Sequence, residues 1–375
     1  MAILYWELVF IRWLGSCIRI VAYFSNFVLI ASFIGLGAGA LLGRFKFRLE
    51  KGILYLLAFC ILLGPFLGAY LHFNPVSTKE FIWFGNPEGI LEYSLGYNFW
   101  SFLPQYILPF WLLLVIVFIS VSLLFAFWGQ YLAKLFSKFP PLMGYTIEIS
   151  GSLAGILMFT LLSYFQASPL GWFLIGFILI ISSKKWGLRE GLLGALVYLL
   201  TLLIVHPYIS FFHWSPYYKI EVHPIKRIWD IQKKQFVHLD KVKGYYLAVN
   251  NDYHQMILDL SHTQKEHPFF QEWQRLYDTP YQKAQELPQG PVLIVGAGTG
   301  NDVAAALRNT HRKIDIVEID PKILQIGKEL HPERPYSNPR VTIFNEDARN
   351  FFIHSPSSKY SLIVFGFLDS HTLFS

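Results

Sequence analysis

Apolar residues run almost unbroken through the first 210 positions and then give way to short, alternating stretches. Five runs, at about 20–43, 52–71, 102–128, 144–166 and 187–205, each approach the roughly 20 residues a helix needs to cross a bilayer. Two further runs are weaker: 2–14 carries Glu7 and Arg12, and 169–182 is short. A succession of this kind predicts a multispan α-helical membrane domain over 1–210. The first run lacks a basic leader and carries internal charge, so it does not read as a cleavable signal. Gly35, Gly37, Gly39 and Gly43, then Gly151 and Gly155, offer small faces for close helix approach. Glu7, Arg12 and Glu148 are ionisable groups at membrane depth, where such groups pair or serve function. A Glu7–Arg12 contact orienting the first helix, and Glu148 lining a polar cavity, are the expectations; an interfacial place for Glu7 and Arg12 is the alternative.

After His206-Pro207 the texture changes and the alternation shortens to a strand-like period. Tyr217–Val222, Ile225–Ile231, Phe236–Leu239 and Tyr245–Val249 read as strands, Asn250-Asn251-Asp252 as a turn, and 268–284 as a helix. A small β unit with a helix therefore occupies 211–285. From 286 to 375 strand and helix alternate: strands at 291–295, 314–318, 341–344 and 362–367, helices at 301–309, 321–330 and 347–353. That order predicts a parallel α/β sheet, a Rossmann-like domain of the class I methyltransferase type. The sequence stops just beyond its fourth strand, an apolar one, so the domain is expected to be truncated and the chain a fragment of a longer protein.

Composition sharpens the division. The chain is 54% hydrophobic and only 15% charged, which excludes a disordered protein and makes the lipid bilayer a partner. The first 210 residues hold 12 Lys/Arg against 7 Asp/Glu, the rest 19 against 18, so the net charge of +6 belongs mostly to the greasy half. It reads as membrane-flanking charge and not as a nucleic-acid footprint. Basic loops at Arg44–Lys51, at Lys134 and Lys138, and at Lys184–Arg189 are expected on the cytoplasmic side. With both 169–182 and 187–205 crossing, the following domain would emerge outside; its cofactor chemistry places it in the cytoplasm instead. Two cysteines in apolar runs build no disulfide framework, and the histidines show no metal-ligand spacing.

The strongest chemical signal is VLIVGAGTGND at 292–302. Gly296, Gly298 and Gly300 let the chain turn from strand to helix and come close to a ligand. The dinucleotide fingerprint G-x-G-x-x-G needs glycine where Asn301 stands, which favours a nucleoside such as S-adenosylmethionine over NAD. Glu318 ends the next strand, about 20 residues on, where a ribose-binding carboxylate belongs. Asp347 follows the third strand at the same edge, suited to the adenine amino group or to capping a helix. Asp320, before Pro321, reads as a cap. His371, in Asp369-Ser370-His371 after the fourth strand, is a candidate base.

These residues resemble the spermidine synthase family of polyamine aminopropyltransferases, specifically its membrane-fused branch with an N-terminal multispan region. The resemblance rests on SPYYKIEV at 215–222, VLIVGAGTGND, VEIDP at 317–321, NEDARNF at 345–351 and YSLIVFGFLDS at 360–370. It implies decarboxylated S-adenosylmethionine as donor and a small-molecule amine as acceptor. It implies Glu318 on ribose, Asp347 on adenine, Asp369 as the catalytic acid of a D-x-x-D pair, and Tyr217 and Gln255 at the substrate. Three positions depart from the pattern: Gly366 stands for the first aspartate of that pair, Thr299 for the acid of the glycine loop, and Tyr218 for a glutamine. A polyamine cation needs carboxylates to hold and deprotonate it. Methyl transfer from intact S-adenosylmethionine to a membrane-associated acceptor is therefore one alternative. A non-catalytic ligand-binding scaffold for a transporter-like membrane domain is another. An oligomer of the chain is left open.

Overall fold

The computed structural model describes residues 1–24, 26–42, 52–73, 110–183, 186–230, 235–239, 242–261, 268–283 and 286–366. It divides into two compact units. Among the described residues, one holds Met1–Lys219 with Val249–Asp252; the other holds Ile220–Ala248 with 253–366.

The helices of the first unit are α1 (Ala2–Cys17), α2 (Arg19–Tyr23), α3 (Asn26–Leu42), α4 (Ile53–Phe73), α5 (Phe110–Phe136), α6 (Pro141–Tyr164), α7 (Pro169–Ser183) and α8 (Leu188–Phe211). Of these, α5, α6 and α8 are long and apolar enough to cross a membrane. The apolar helices α3, α7 and the Ile53–Leu67 part of α4 are shorter. The run expected over 20–43 is broken, because Phe24 leaves helical geometry at φ −116°, ψ 63° before α3 restarts at Asn26. The run read as 102–128 is a helix over 110–136 among the described residues, carried past its apolar stretch through Gln130, whose amide donates to the Leu42 carbonyl. The texture change at His206-Pro207 does not end α8, which continues to Phe211. A proline removes one helical hydrogen bond. Val205 and Ile209, on either side of it, are both buried in the same core, so packing carries the helix through.

The weakest of the apolar runs forms the centre of this unit. Tyr5, Trp6, Val9, Phe10, Trp13 and Leu14 of α1 are fully buried, packed with Trp172 and Phe173 of α7. Glu7 and Arg12 do not serve as each other's partners in the way expected. Ser32 of α3 donates to Glu7 at 2.6 Å, while Arg12 donates to the Ser163 hydroxyl at 2.7 Å and to the Ser215 carbonyl. Glu148 accepts locally, from Ser152 one turn on. Two of the predicted small residues do bring helices together. A Cβ at Gly35 would lie 2.2 Å from the Ser122 carbonyl oxygen, and one at Gly39 2.0 Å from that of Ala126, so α3 and α5 touch main chain to main chain. Gly37 meets nothing within 4 Å.

The strand β1 (His213–Trp214) is followed by β2 (Lys219–Pro224), β3 (Arg227–Asp230), β4 (Gln235–His238), β5 (Gly244–Val249) and β6 (Asp252–Leu258). Strands β2, β5 and β6 lie side by side in one sheet, and β3 pairs antiparallel with β4. The turn at Asn250-Asn251 is present, with both residues at positive φ. The strand β6 after it went unread, because its first half is polar and only Ile257 and Leu258 are fully buried. Helix α9 (Pro268–Lys283) follows.

The remaining elements alternate: β7 (Val292–Val295), α10 (Asn301–Asn309), β8 (Ile314–Val317), α11 (Pro321–Leu330), β9 (Val341–Phe344), α12 (Ala348–His354) and β10 (Leu362–Phe365). The sheet order is β10-β7-β8-β9, all parallel. Both faces of β7 and β8 are buried, which explains the continuous apolar run of β7; β8 carries Asp315 within it. Val292, Ile294, Ile314 and Ile316 face α10 and Tyr281, while Leu293, Val295 and Val317 face Phe351 of α12. Val295 pairs with Phe365 on one side and Val317 on the other, and Val317 pairs with Phe344. The four strands therefore end level, and their outgoing loops share one edge.

Candidate functional site

That edge is where ligands bind in open α/β sheets. The loop from β7 to α10 makes three successive departures from ordinary backbone, at Gly296 (φ 71°), Gly298 (φ 57°) and Gly300 (φ 110°). Positive φ is costly for residues with a Cβ. At Gly298 space is closed as well, since a Cβ there would sit 2.6 Å from Oε1 of Gln255. The loop is held from behind by Tyr336, whose buried hydroxyl donates to the Gly298 carbonyl at 2.7 Å.

Glu318 leaves β8 directly beside this loop and is 7% exposed. Its Oε2 accepts from the Gly298 N–H at 2.8 Å and its Oε1 from the Asp320 N–H at 2.9 Å. Burial pushes its pKa up, and the backbone N–H groups act against that rise. Each carboxylate oxygen keeps a second lone pair. The side chain predicted to take the ribose thus also shapes the loop over which a ribose would lie. Asp320 is fully buried and caps α11, accepting from Lys322 N and Ile323 N, as expected.

Asp347 leaves β9 at the same level and is exposed. One of its oxygens caps α12 by accepting from Arg349 N at 2.7 Å. Asn345 ties the two neighbouring loops together, donating to the Glu318 carbonyl at 2.7 Å. Gln255, on β6, lies against the glycine loop, with Oε1 3.4 Å from the Thr299 N–H. Its Nε2 and the hydroxyl of fully buried Thr299 are buried without a hydrogen-bond partner among the described residues. The structure thus gathers Gly296, Gly298, Gly300, Glu318 and Gln255, with Asp347 at the same sheet edge. Tyr217 belongs to the helical unit, where it is 39% exposed. Asp369 and His371 lie outside the described residues. Gly366 is described: its N–H donates to the Val295 carbonyl, and a Cβ there would stand 2.6 Å from the Gly296 carbonyl oxygen.

One residue beneath the loop was missed. Asn301 is 4% exposed and spends its whole amide. It donates to the Met256 carbonyl (2.6 Å) and the Tyr277 hydroxyl (3.1 Å), and accepts from Leu258 N (3.2 Å) and His331 Nε2 (3.1 Å). Its signal in the sequence was the break in the glycine pattern, read only as evidence against a dinucleotide. Among the described residues no three His, Cys, Asp or Glu side chains gather to hold a metal.

No family model matches the chain. Over 76 residues, a fifth of its length, it is 36% identical to a spermine synthase of Arabidopsis thaliana. Over 76 residues it is 37% identical to a polyamine aminopropyltransferase of Clostridium beijerinckii. These stretches span 21% and 26% of the two relatives. A probable spermidine synthase from Corynebacterium glutamicum aligns in structure over 41% of this chain and 50% of its own, at 15% identity and a TM-score of 0.30. The chain carries a segment similar in sequence to polyamine aminopropyltransferases.

Proposed function

We propose that this protein is a membrane-anchored transferase of the spermidine synthase kind, binding decarboxylated S-adenosylmethionine and transferring its aminopropyl group to an amine. The observation that carries the reading is the Glu318–Gly298 bond. It sets a carboxylate against a positive-φ glycine turn at the C-terminal edge of a parallel sheet. The two relatives named for this chemistry support it. A Cβ at Gly298 would stand 2.6 Å from Gln255 Oε1, and in this reading Glu318 takes the ribose hydroxyls and Asp347 the adenine amino group. The donor supplies the electrophile: the amine nitrogen bonds to the carbon beside the sulfonium, the C–S bond breaks, sulfur leaves as a neutral thioether, and the nitrogen sheds a proton. The chain's part is to bind, align and exclude water. By resemblance Asp369 is the catalytic second aspartate of the D-x-x-D pair, and Tyr217 and Gln255 line the substrate.

The bilayer is the partner of the first unit. Support comes from α5, α6 and α8 and from the apolar side chains they expose, among them Ile119, Leu142, Leu157, Leu203 and Ile204. In this reading the cofactor chemistry, and not the charge of the loops, assigns the second unit to the cytoplasm.

Methyl transfer from intact S-adenosylmethionine is the second reading. Gly366 favours it, since this backbone leaves no room there for the side chain of an acid. Calorimetry on the full chain with the two donors, and Glu318→Ala as control, separates the readings. Tighter binding of the decarboxylated donor is expected. Preference for the intact donor selects methyl transfer. Binding of neither, with Glu318→Ala silent, removes the enzyme and leaves a scaffold.

A further inference from the structure

One face of α1 holds both ends of the short segment that presents Tyr217. At the first end, the Arg12 guanidinium donates to the Ser215 carbonyl and, at 2.7 Å, to the Ser163 hydroxyl. It lies 4.5 Å over the ring of Trp172, which meets Trp214 edge-on at 5.6 Å, one residue before Ser215. The Ser215 hydroxyl then accepts from the N–H groups of Tyr217 (3.0 Å) and Tyr218 (2.8 Å), and Ser215 N donates to the Tyr218 carbonyl. The turn is thereby closed on itself, with the Ser215 carbonyl gripped by Arg12.

At the second end, Lys219 is 1% exposed. Its N–H donates to Asn250 Oδ1 at 3.0 Å, and its ammonium donates to Asn251 Oδ1 at 2.6 Å while lying 4.2 Å over Phe212. Asn251 in turn donates to the Ser16 carbonyl at 3.0 Å. That carbonyl is in the last turn of α1, where helix acceptors lack a partner within the helix. Arg12 and Ser16 are four residues apart and so share a helix face. A part-buried arginine and a buried lysine in an apolar bundle are costly. Here both are used to fix one five-residue segment, with the 39%-exposed Tyr217 at its middle.

We infer that α1 is a positioning element: through Arg12 and Ser16 it fixes the segment that carries Tyr217, the residue read above as lining the amine substrate. This rests on the reading of Tyr217 given above.

The test uses the full chain in lipid nanodiscs, with putrescine as amine and decarboxylated S-adenosylmethionine as donor. Wild type, Arg12→Lys, Arg12→Ala, Tyr217→Phe and the Arg12→Ala/Tyr217→Phe pair are compared. Arg12→Ala is expected to raise the KM for putrescine by about tenfold with kcat within about twofold. Arg12→Lys should recover part of that loss, and calorimetric binding of 5′-methylthioadenosine should stay unchanged. Because Arg12 acts through Tyr217, the pair should be no worse than the worse single variant. An unchanged KM, or effects that multiply, overturns the inference. Should Arg12→Ala not fold, Ser215→Ala opens the same turn with Arg12 in place and is expected to raise KM alike; an unchanged KM overturns the inference there too. Should the wild type transfer nothing to putrescine, the reading of the reaction fails by itself. Amide exchange then decides the clamp: the Tyr217 and Tyr218 N–H groups should exchange at least about tenfold faster in Arg12→Lys than in wild type. Equal rates overturn it.

Discussion

Burial and hydrogen bonding pull the charge of Glu318 in opposite directions, and its chemistry depends on the balance. Glu318→Gln keeps the size but turns one acceptor into a donor, which then faces the N–H of Gly298 or of Asp320. The expected cost is about 1–3 kcal/mol in thermal unfolding, together with a loss of nucleoside affinity in calorimetry. Gly298→Ala tests the turn itself. The positive φ should cost about 1–2 kcal/mol, and the contact with Gln255 adds to it. Combining it with Gln255→Ala should return only the steric part. If Gly298→Ala melts with wild type, the left-handed turn is not a constraint. At this scale the glycines, Glu318 and the Asp320 cap were all legible, since turn and cap chemistry is local in sequence. Tyr336 and Asn301 were not. Their roles depend on what a distant segment brings beside them, and no spacing announces that.

At the scale of elements, Asn301 joins β6, α9, α10 and the turn after α11. His331 completes the joint as a neutral ring: its Nδ1 accepts from Glu333 N at 3.2 Å, which leaves the proton on Nε2 for Asn301. Burial, then the nearby charge of Arg308, hold its pKa down to about 4, against 6.5 for a free histidine. A pKa lowered on folding means the unfolded chain binds the extra proton. Stability supplied by neutral His331 is therefore complete above about pH 6.5 and drains as pH falls toward 4, by about 3 kcal/mol in all. Melting curves across that window should flatten in His331→Gln relative to wild type; parallel slopes would refute the assignment. The alternation of strand and helix from 292 onward was readable to within a residue or two, because apolar-rich strands alternate with helices whose starts carry a glycine turn or an aspartate cap. Strand β6 was hidden by its polar first half. The ends of α3, α5 and α8 were misplaced because hydropathy does not see a bent link at Phe24 or a proline tolerated by packing.

For the whole molecule the composition already separated a greasy half from a mixed one, yet the compact units do not follow that border. The helical unit extends to Lys219 and includes the turn at Val249–Asp252. Orientation is open to a direct test. Cys17 and Cys60 are both buried, so a cysteine introduced at Ser137, between the basic residues Lys134 and Lys138, gives a clean signal. An impermeant maleimide should label Ser137→Cys in inverted vesicles and not in intact cells. The reverse pattern would place the loop at Lys134 and Lys138 outside.

The main-chain contact between α3 and α5 bears on what the helical unit can do. With Gly35 and Gly39 set against the carbonyl oxygens of Ser122 and Ala126, neither helix can slide along the other without lifting an α-carbon over an oxygen. The pair therefore behaves as a single beam. If this unit ever opens a path for a solute, as a transporter-like domain would, the beam travels whole and the parting falls along some other seam. A cross-link between α3 and α5 should then leave such movement untouched, and that seam is the place to look for a gate.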